Sequence, residues 1–176
     1  RQMCIRDRLM MLCCAGAGMR LHAQPLNKGR IAILGDSIAY AGHWANEVEN
    51  TLRDDKKFAA CEIVNFAVPS ETVAGLSEYG HAGGRFPRPC LHERLSRILK
   101  MYQPQLILAC YGMNDGLMQE FDKARFQAYQ EGNIRLKKAA DAAKAEIVFI
   151  TPPLFRGDSA EQAEYDAVLD LSLIHI

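Results

Sequence analysis

Ser37 ends the stretch RIAILGDS, where four apolar residues after Arg30 run into a small residue, an acid and a hydroxyl. A serine at a strand-to-helix turn can expose its hydroxyl above a sheet. Acyl transfer needs such a nucleophile, a base to activate it, and donors aimed where the oxyanion forms. The backbone N–H groups beside Ser37, near the start of the next helix, can face a developing anion. Asn114, in the run Gly112-Met113-Asn114-Asp115, carries a side-chain amide able to donate to the same oxygen. Gly35, Ala67 and Gly112 are small enough for a substrate to approach the backbone closely. Each piece also has a plainer reading. Gly-Asp-Ser after a strand is most often a turn with a helix cap, and Asn114-Asp115 passes as another cap. Asp36 reads as fixing the turn through hydrogen bonds, and Asp115 as supporting the Asn114 loop.

The elements that must position these residues follow from periodicity. Ile31 to Leu34 reads as a buried strand, and Ala41, Trp44, Ala45, Val48 and Leu52 mark one apolar stripe of a helix. Cys61 to Val68 reads as a second strand, stopped by Pro69. The segment PSETVAGLSEYGHAGGRFPRP is too rich in Gly and Pro for regular structure, and a loop of that length in a compact domain is usually functional. Leu91, Leu95, Ile98 and Leu99 mark a helix between Pro89 and Pro104. Leu106 to Gly112 is a continuous apolar strand, as expected when both faces are covered. A longer helix spans roughly Asp122 to Lys144, EIVFITPP is a fourth strand, and a last helix runs from Ala160 to Leu171. Strand–helix alternation of this kind predicts a parallel sheet with helices on both faces, an α/β three-layer sandwich. Ligands gather at the carboxyl ends of such strands. Gly35-Asp36-Ser37, the Asn65 turn and Gly112 to Asp115 all fall there.

Composition narrows the classes further. The 176 residues suit one domain, with 49% hydrophobic and 24% charged residues, which is ordinary globular composition. Lys+Arg and Asp+Glu balance at 21 each, so nothing favours nucleic acid or an anionic surface. The six cysteines form no CxxC pair, which argues against a zinc or redox site. Residues 1–24 read as a signal peptide remnant, with Arg6 and Arg8 before an apolar stretch and Ala23 where cleavage would fall. That stretch, roughly ten residues, falls short of the about 20 needed to span a bilayer. A secreted or periplasmic location and no stable membrane span are the expectations. RQMCIRDR and LSLIHI resemble translated sequencing-adaptor strings, so the first residues and the tail 171–176 are expected to be non-native.

Three stretches, ILGDSIAY, NFAVPSETVAGLSE and CYGMND, resemble the first three conserved blocks of the GDSL-type SGNH hydrolases, from about Arg30 to Asp170. The resemblance implies a flavodoxin-like sheet in a domain over residues 25–170, and a serine esterase acting through an acyl-enzyme without metal or cofactor. Its substrate would be an acyl ester of a small molecule, a carbohydrate or a lipid. It makes Ser37 the nucleophile and an oxyanion donor through its N–H, and Asn114 the side-chain donor. Ala67 stands where the second block presents a backbone donor, with Gly35, Asp36, Asn65, Gly112 and Asp115 in support. The last block of that family, Asp-x-x-His after a fifth strand, does not occur in this sequence. The fifth strand and last helix are likewise expected to be missing, and this chain to be an inactive piece of an active parent. His43 and His92 read as packing, capping or surface residues. His81 lies in a loop that reads equally as a wall or lid of the site and as a plain connection, and Glu71 and Thr72 as residues rimming the pocket. The alternative is a non-catalytic carbohydrate- or ligand-binding module on the same fold. A flavodoxin-like cofactor binder fits poorly, because GDSIAYAG offers few of the Ser, Thr and Gly residues a phosphate loop needs.

Overall fold

A computed structural model describes residues 29–153 and Leu169. The signal-like segment 1–24, the tail 171–176 and, apart from Leu169, the helix expected over 160–171 lie outside the described residues. Four parallel strands, β1 (Arg30–Gly35), β2 (Glu62–Asn65), β3 (Leu106–Cys110) and β4 (Glu146–Phe149), form one sheet in the order β2-β1-β3-β4. Ile31 pairs with Ile63 on one side and with Leu106 on the other, while Leu106 also pairs with Glu146. The chain therefore steps from β1 to β2 in one direction, then crosses back to β3 and β4. The order reverses at β1, and a crevice at such a reversal opens beyond the carboxyl ends of β1 and β3. Those ends carry Ser37 and Asn114.

The two faces follow from the period-two alternation of strand side chains. Ala32 and Leu34 of β1 and Ile107 and Ala109 of β3 pack to one side, against Leu95, Ile98, Tyr129, Leu136 and Ala140. Ile31, Ile33, Leu106 and Leu108 point to the other side, against Ala45 and Val48. The first group of partners lies on helices α4 (Leu95–Tyr102) and α5 (Lys123–Ala142), and the second on α2 (His43–Asp54). This is the α/β architecture expected from the sequence. Among the described residues no helix is long and apolar enough to cross a membrane.

Several boundaries differ for local reasons. The helix after β1 is two pieces, α1 (Ser37–Tyr40) and α2, because Gly42 turns left-handed at φ +85°. Strand β2 stops at Asn65 rather than Val68, where the Asn65 side chain turns the chain by accepting from the outward Ala67 N–H, while the Phe66 and Val68 N–H groups still bond Ile33 and Gly35 of β1. The helix expected after Pro89 is a 3₁₀ turn, Leu91–Glu93, followed by α4, with Arg94 between them at φ −120°. Within the long loop one short helical segment, α3 (His81–Gly84), is broken by left-handed Ala82 and Gly83.

Helix α5 passes very close to that loop at Gly132. A Cβ there would sit 2.3 Å from the Val73 carbonyl oxygen and 2.7 Å from its carbon. Replacing a helical glycine by alanine gains about 1 kcal/mol of propensity, whereas overpacking costs about 1–3 kcal/mol, more where the obstacle is backbone that cannot change rotamer. The clash wins. Gly132→Ala is expected to lower stability by about 2 kcal/mol net, read as a fall in the urea midpoint at unchanged slope; a midpoint equal to or above the parent's would contradict this packing.

Candidate active site

Ser37 is exposed at the carboxyl end of β1, directly after the buried Asp36. Asp36 caps α1, its Oδ1 accepting from the Ile38 N–H at 2.9 Å. The Ser37 N–H lies in the first turn of α1, where a helix supplies no acceptor. Burial raises the Asp36 carboxyl above its ordinary range, against the lowering effect of the Ile38 N–H.

Asn114, beyond β3, is buried at 4% exposure, and both ends of its amide are engaged. Its Oδ1 accepts from Arg88 Nη1 at 2.9 Å, and its Nδ2 donates to the Glu71 carbonyl at 3.3 Å. Arg88 also forks onto Glu78, Nε to Oε2 at 2.6 Å and Nη2 to Oε1 at 2.8 Å. The hydrogen bonds from Arg88 hold the Glu78 carboxyl at about 2. His81 Nδ1 lies 3.3 Å from Glu78 Oε1.

The loop between them is clamped through buried carboxyl groups. Asp115 Oδ1 accepts from the Val73 and Ala74 N–H groups at 2.9 and 2.7 Å. Glu71, fully buried, takes Arg94 Nε and Nη2 at 2.6 Å each, and the Tyr111 hydroxyl at 2.6 Å. Thr72 bridges to Cys90, its N–H donating to the Pro89 carbonyl at 3.0 Å. Burial and the neighbouring Glu71 push the Tyr111 hydroxyl well up, so it stays a donor.

Several expectations from the sequence need correcting. The Ala67 N–H is already held by Asn65 Oδ1 at 3.0 Å, so it does not face an oxyanion. The other arm of Asn65, Nδ2, donates to the Ala39 carbonyl at 2.8 Å and ties the end of β2 to α1. Gly35 and Gly112 make room for the protein itself rather than for substrate. A Cβ on Gly35 would meet Ala39 Cβ at 2.7 Å and the Cys110 carbonyl oxygen at 2.9 Å; Gly112 has φ +134° against Pro152. Glu71 and Thr72 are interior and rim nothing. His92 is half-buried rather than a surface residue, Nε2 lying 3.1 Å from the Gly132 carbonyl.

Two residues at the site escaped the sequence reading. Arg88 is one. The other is Ser70, left-handed at φ +64° in a turn closed by the Glu71 N–H on the Val68 carbonyl at 3.2 Å. With Pro69 before it, this is the pattern of a type II turn, which favours glycine at that place. Among the described residues the Ser70 N–H has no backbone acceptor. Val68 N–H bonds the Gly35 carbonyl at 3.0 Å, which brings this turn beside Ser37.

No family model and no curated protein sequence matches the chain. Solved structures share its fold. Axe2, an acetylxylan esterase from Geobacillus stearothermophilus, aligns with a TM-score of 0.58 at 16% identity, over 85% of this chain and 74% of that one. LAE5, an alpha/beta hydrolase from the metagenome of Lake Arreo, Spain, aligns with a TM-score of 0.58 at 17% identity, over 82% and 70%. A catalytic mutant of Axe2 aligns at 0.59 and 16% identity, over the same shares. The chain thus has the α/β fold of these hydrolases, a parallel sheet in flavodoxin-type order.

Asp115 generates a pH prediction. Its Oδ2 is buried and has no partner among the described residues. Burial, opposed by the Ala74 and Val73 N–H groups and reinforced by the nearby Asp36, raises its carboxyl from 3.8 to about 7. Between those values the folded chain keeps a proton that the unfolded chain has released. Stability must therefore fall as pH rises through this window. Asp115→Asn, neutral throughout, is expected to flatten the decline of the urea midpoint between pH 4 and pH 7; an unaltered slope would show that Asp115 does not carry it.

Proposed function

We propose that this chain is the nucleophile-bearing part of a serine ester hydrolase acting on neutral acyl esters, acetylated carbohydrate among them. The observation that carries this reading is the conjunction of an exposed Ser37 and a buried, oriented Asn114 amide at the point where strand order reverses. The esterase fold of Axe2 and the hydrolase fold of LAE5 support it. The resemblance of the three sequence blocks to the GDSL-type SGNH hydrolases supports it too, as does the signal-like start for a secreted or periplasmic setting.

In this reading Ser37 Oγ attacks the acyl carbon. The Oγ–C bond forms as the carbonyl electron pair moves onto oxygen. The Ser37 N–H, one Nδ2 hydrogen of Asn114 and the Ser70 N–H, in place of Ala67, receive that oxyanion. Such donors lower the barrier because they are fixed before the charge appears. Collapse expels the alcohol and leaves acyl-Ser37, which water then cleaves. The Oγ proton needs a base, and where no side chain takes it, it passes to a solvent water or hydroxide. Catalytic mutants of Axe2 replace a serine, an aspartate and a histidine, the last two three positions apart. This sequence has no Asp-x-x-His, and among the described residues no histidine is hydrogen-bonded to Ser37. Acylation by this chain is accordingly slow, on the order of 10⁴-fold or more below a complete triad.

p-Nitrophenyl acetate suits the test because its leaving group departs without a general acid. The expected result is a burst of p-nitrophenol with one acetyl group on Ser37, seen by mass spectrometry of the peptide, and neither in Ser37→Ala. No Ser37 adduct, with an acetylated xylo-oligosaccharide bound equally well by parent and Ser37→Ala, would replace the hydrolase with a binding module. That no histidine is hydrogen-bonded to Ser37 among the described residues is what favours keeping that second reading.

A further inference from the structure

We propose that Arg88, held by Glu78, is a positioning residue that sets the orientation and donor strength of the Asn114 amide, an inference that rests on the hydrolase reading above. Arg88 stands between Pro87 and Pro89 in the long loop, and its side chain is only 8% exposed. Two arms of its guanidinium grip both oxygens of Glu78, at 2.6 and 2.8 Å, which leaves Nη1 aimed at Asn114 Oδ1, 2.9 Å away. Nη1 also lies 3.5 Å from the Ser70 carbonyl oxygen.

An asparagine amide has an accepting end and a donating end of nearly the same shape. A guanidinium only donates, so the end of Asn114 that faces Arg88 must be the oxygen. Turning the amide over would set an NH₂ group against an N–H of Arg88, with both bonds lost in a buried place. Arg88 thereby fixes Nδ2 on the opposite side. One Nδ2 hydrogen goes to the Glu71 carbonyl, and the other has no acceptor among the described residues. That free hydrogen is the one an oxyanion needs. A cation on the amide oxygen also polarises the group and makes the remaining N–H a stronger donor, as linked hydrogen bonds do.

The pair limits what else Arg88 can do. Its charge is already met bidentately by Glu78, a strong and directional arrangement. The guanidinium is not a landing site for an anionic substrate. Its effect reaches the substrate through Asn114, on the reaction's developing charge rather than on ground-state binding. Arg88 should therefore alter the acylation rate constant more than the half-saturating ester concentration.

The test is a double-mutant cycle on the full chain, following the p-nitrophenyl acetate burst in the parent, Arg88→Met, Asn114→Ala and the double variant. Losing a whole oxyanion donor costs about 10²–10³-fold, so loosening one is expected to slow acylation about 10- to 100-fold. Half-saturation should change little, and Arg88→Lys should recover part of the loss. In the Asn114→Ala background the Arg88→Met step is expected to cost less than about 3-fold, because its target is gone. An equal factor in both backgrounds, or an unchanged burst in a folded Arg88→Met, overturns the inference. If Arg88→Met melts with the loss of the loop, Glu78→Gln enters the same cycle, keeping the guanidinium but loosening its grip, with a several-fold loss that again vanishes with Asn114→Ala. Ser37-dependent acetylation indifferent to Arg88 and Glu78 removes this inference alone. A parent chain never acetylated at Ser37 removes the hydrolase reading, and this inference with it.

Discussion

Backbone groups that leave a sheet for the interior still need partners, and a loop buried beside a sheet must find them one by one. Segment 71–74 meets half of that demand, for Val73 and Ala74, through Asp115. One oxygen of this carboxyl takes two successive N–H groups at 2.9 and 2.7 Å. Because Asp115 directly follows Asn114, the same short stretch that ends β3 both anchors the loop and carries the amide. The arrangement has a cost, since the second oxygen is buried without a partner among the described residues. Burial answers by raising the carboxyl to about 7.

The rest of the site hangs on that anchor. Glu71 is pinned by Arg94 and Tyr111, and Thr72 by its bridge to Cys90, so consecutive loop residues are gripped from just before α4, just after β3 and the end of the loop. Gly132 lets α5 press directly on the Val73 backbone. On this base the Val68 to Glu71 turn sits between Ser37 and Asn114, touching β1 through the Gly35 carbonyl and Asn114 through the Glu71 carbonyl. The sheet supplies rigidity and the switch in strand order supplies the crevice. The loop orients the Asn114 amide through Arg88 and the Glu71 carbonyl.

The strands and Ser37 were legible in the sequence because their signals are local. Continuous apolar runs in β1 and β3 mark strands covered on both faces, and Gly-Asp-Ser after such a run marks a turn. What escaped depends on partners far along the chain. Arg88 meets Asn114 at a separation of 26 residues, and the Glu71 carbonyl meets Asn114 at 43. No periodicity records such pairs. Glu71 looked like a rim residue because a lone glutamate in a loop usually is; only Arg94 and Tyr111 make its burial affordable. Ala67 was misread for a different reason. The resemblance puts a backbone donor at Ala67, but Asn65 two residues earlier makes an Asx turn that takes up its N–H. Ser70 gave no signal at all, since serine seldom adopts positive φ.

Asn114 is oriented from both ends, its Nδ2 donating to the Glu71 carbonyl and its Oδ1 accepting from Arg88. A backbone carbonyl would attract the NH₂ end, and a hydroxyl, which both donates and accepts, would tolerate either end. At the oxygen end only a group that exclusively donates enforces the direction, and arginine is such a group. Bringing a guanidinium to 8% exposure is unfavourable unless its charge is met. Glu78 meets it along two parallel bonds, and that geometry leaves a single nitrogen pointing onward. The salt bridge is therefore less a source of stability than a means of aiming. A lysine would also present only donors to Asn114, but it lacks the planar fork by which Glu78 holds the arginine in one aim. The asymmetry of one asparagine amide is in this way enforced by a charged pair drawn from the far end of an otherwise irregular loop.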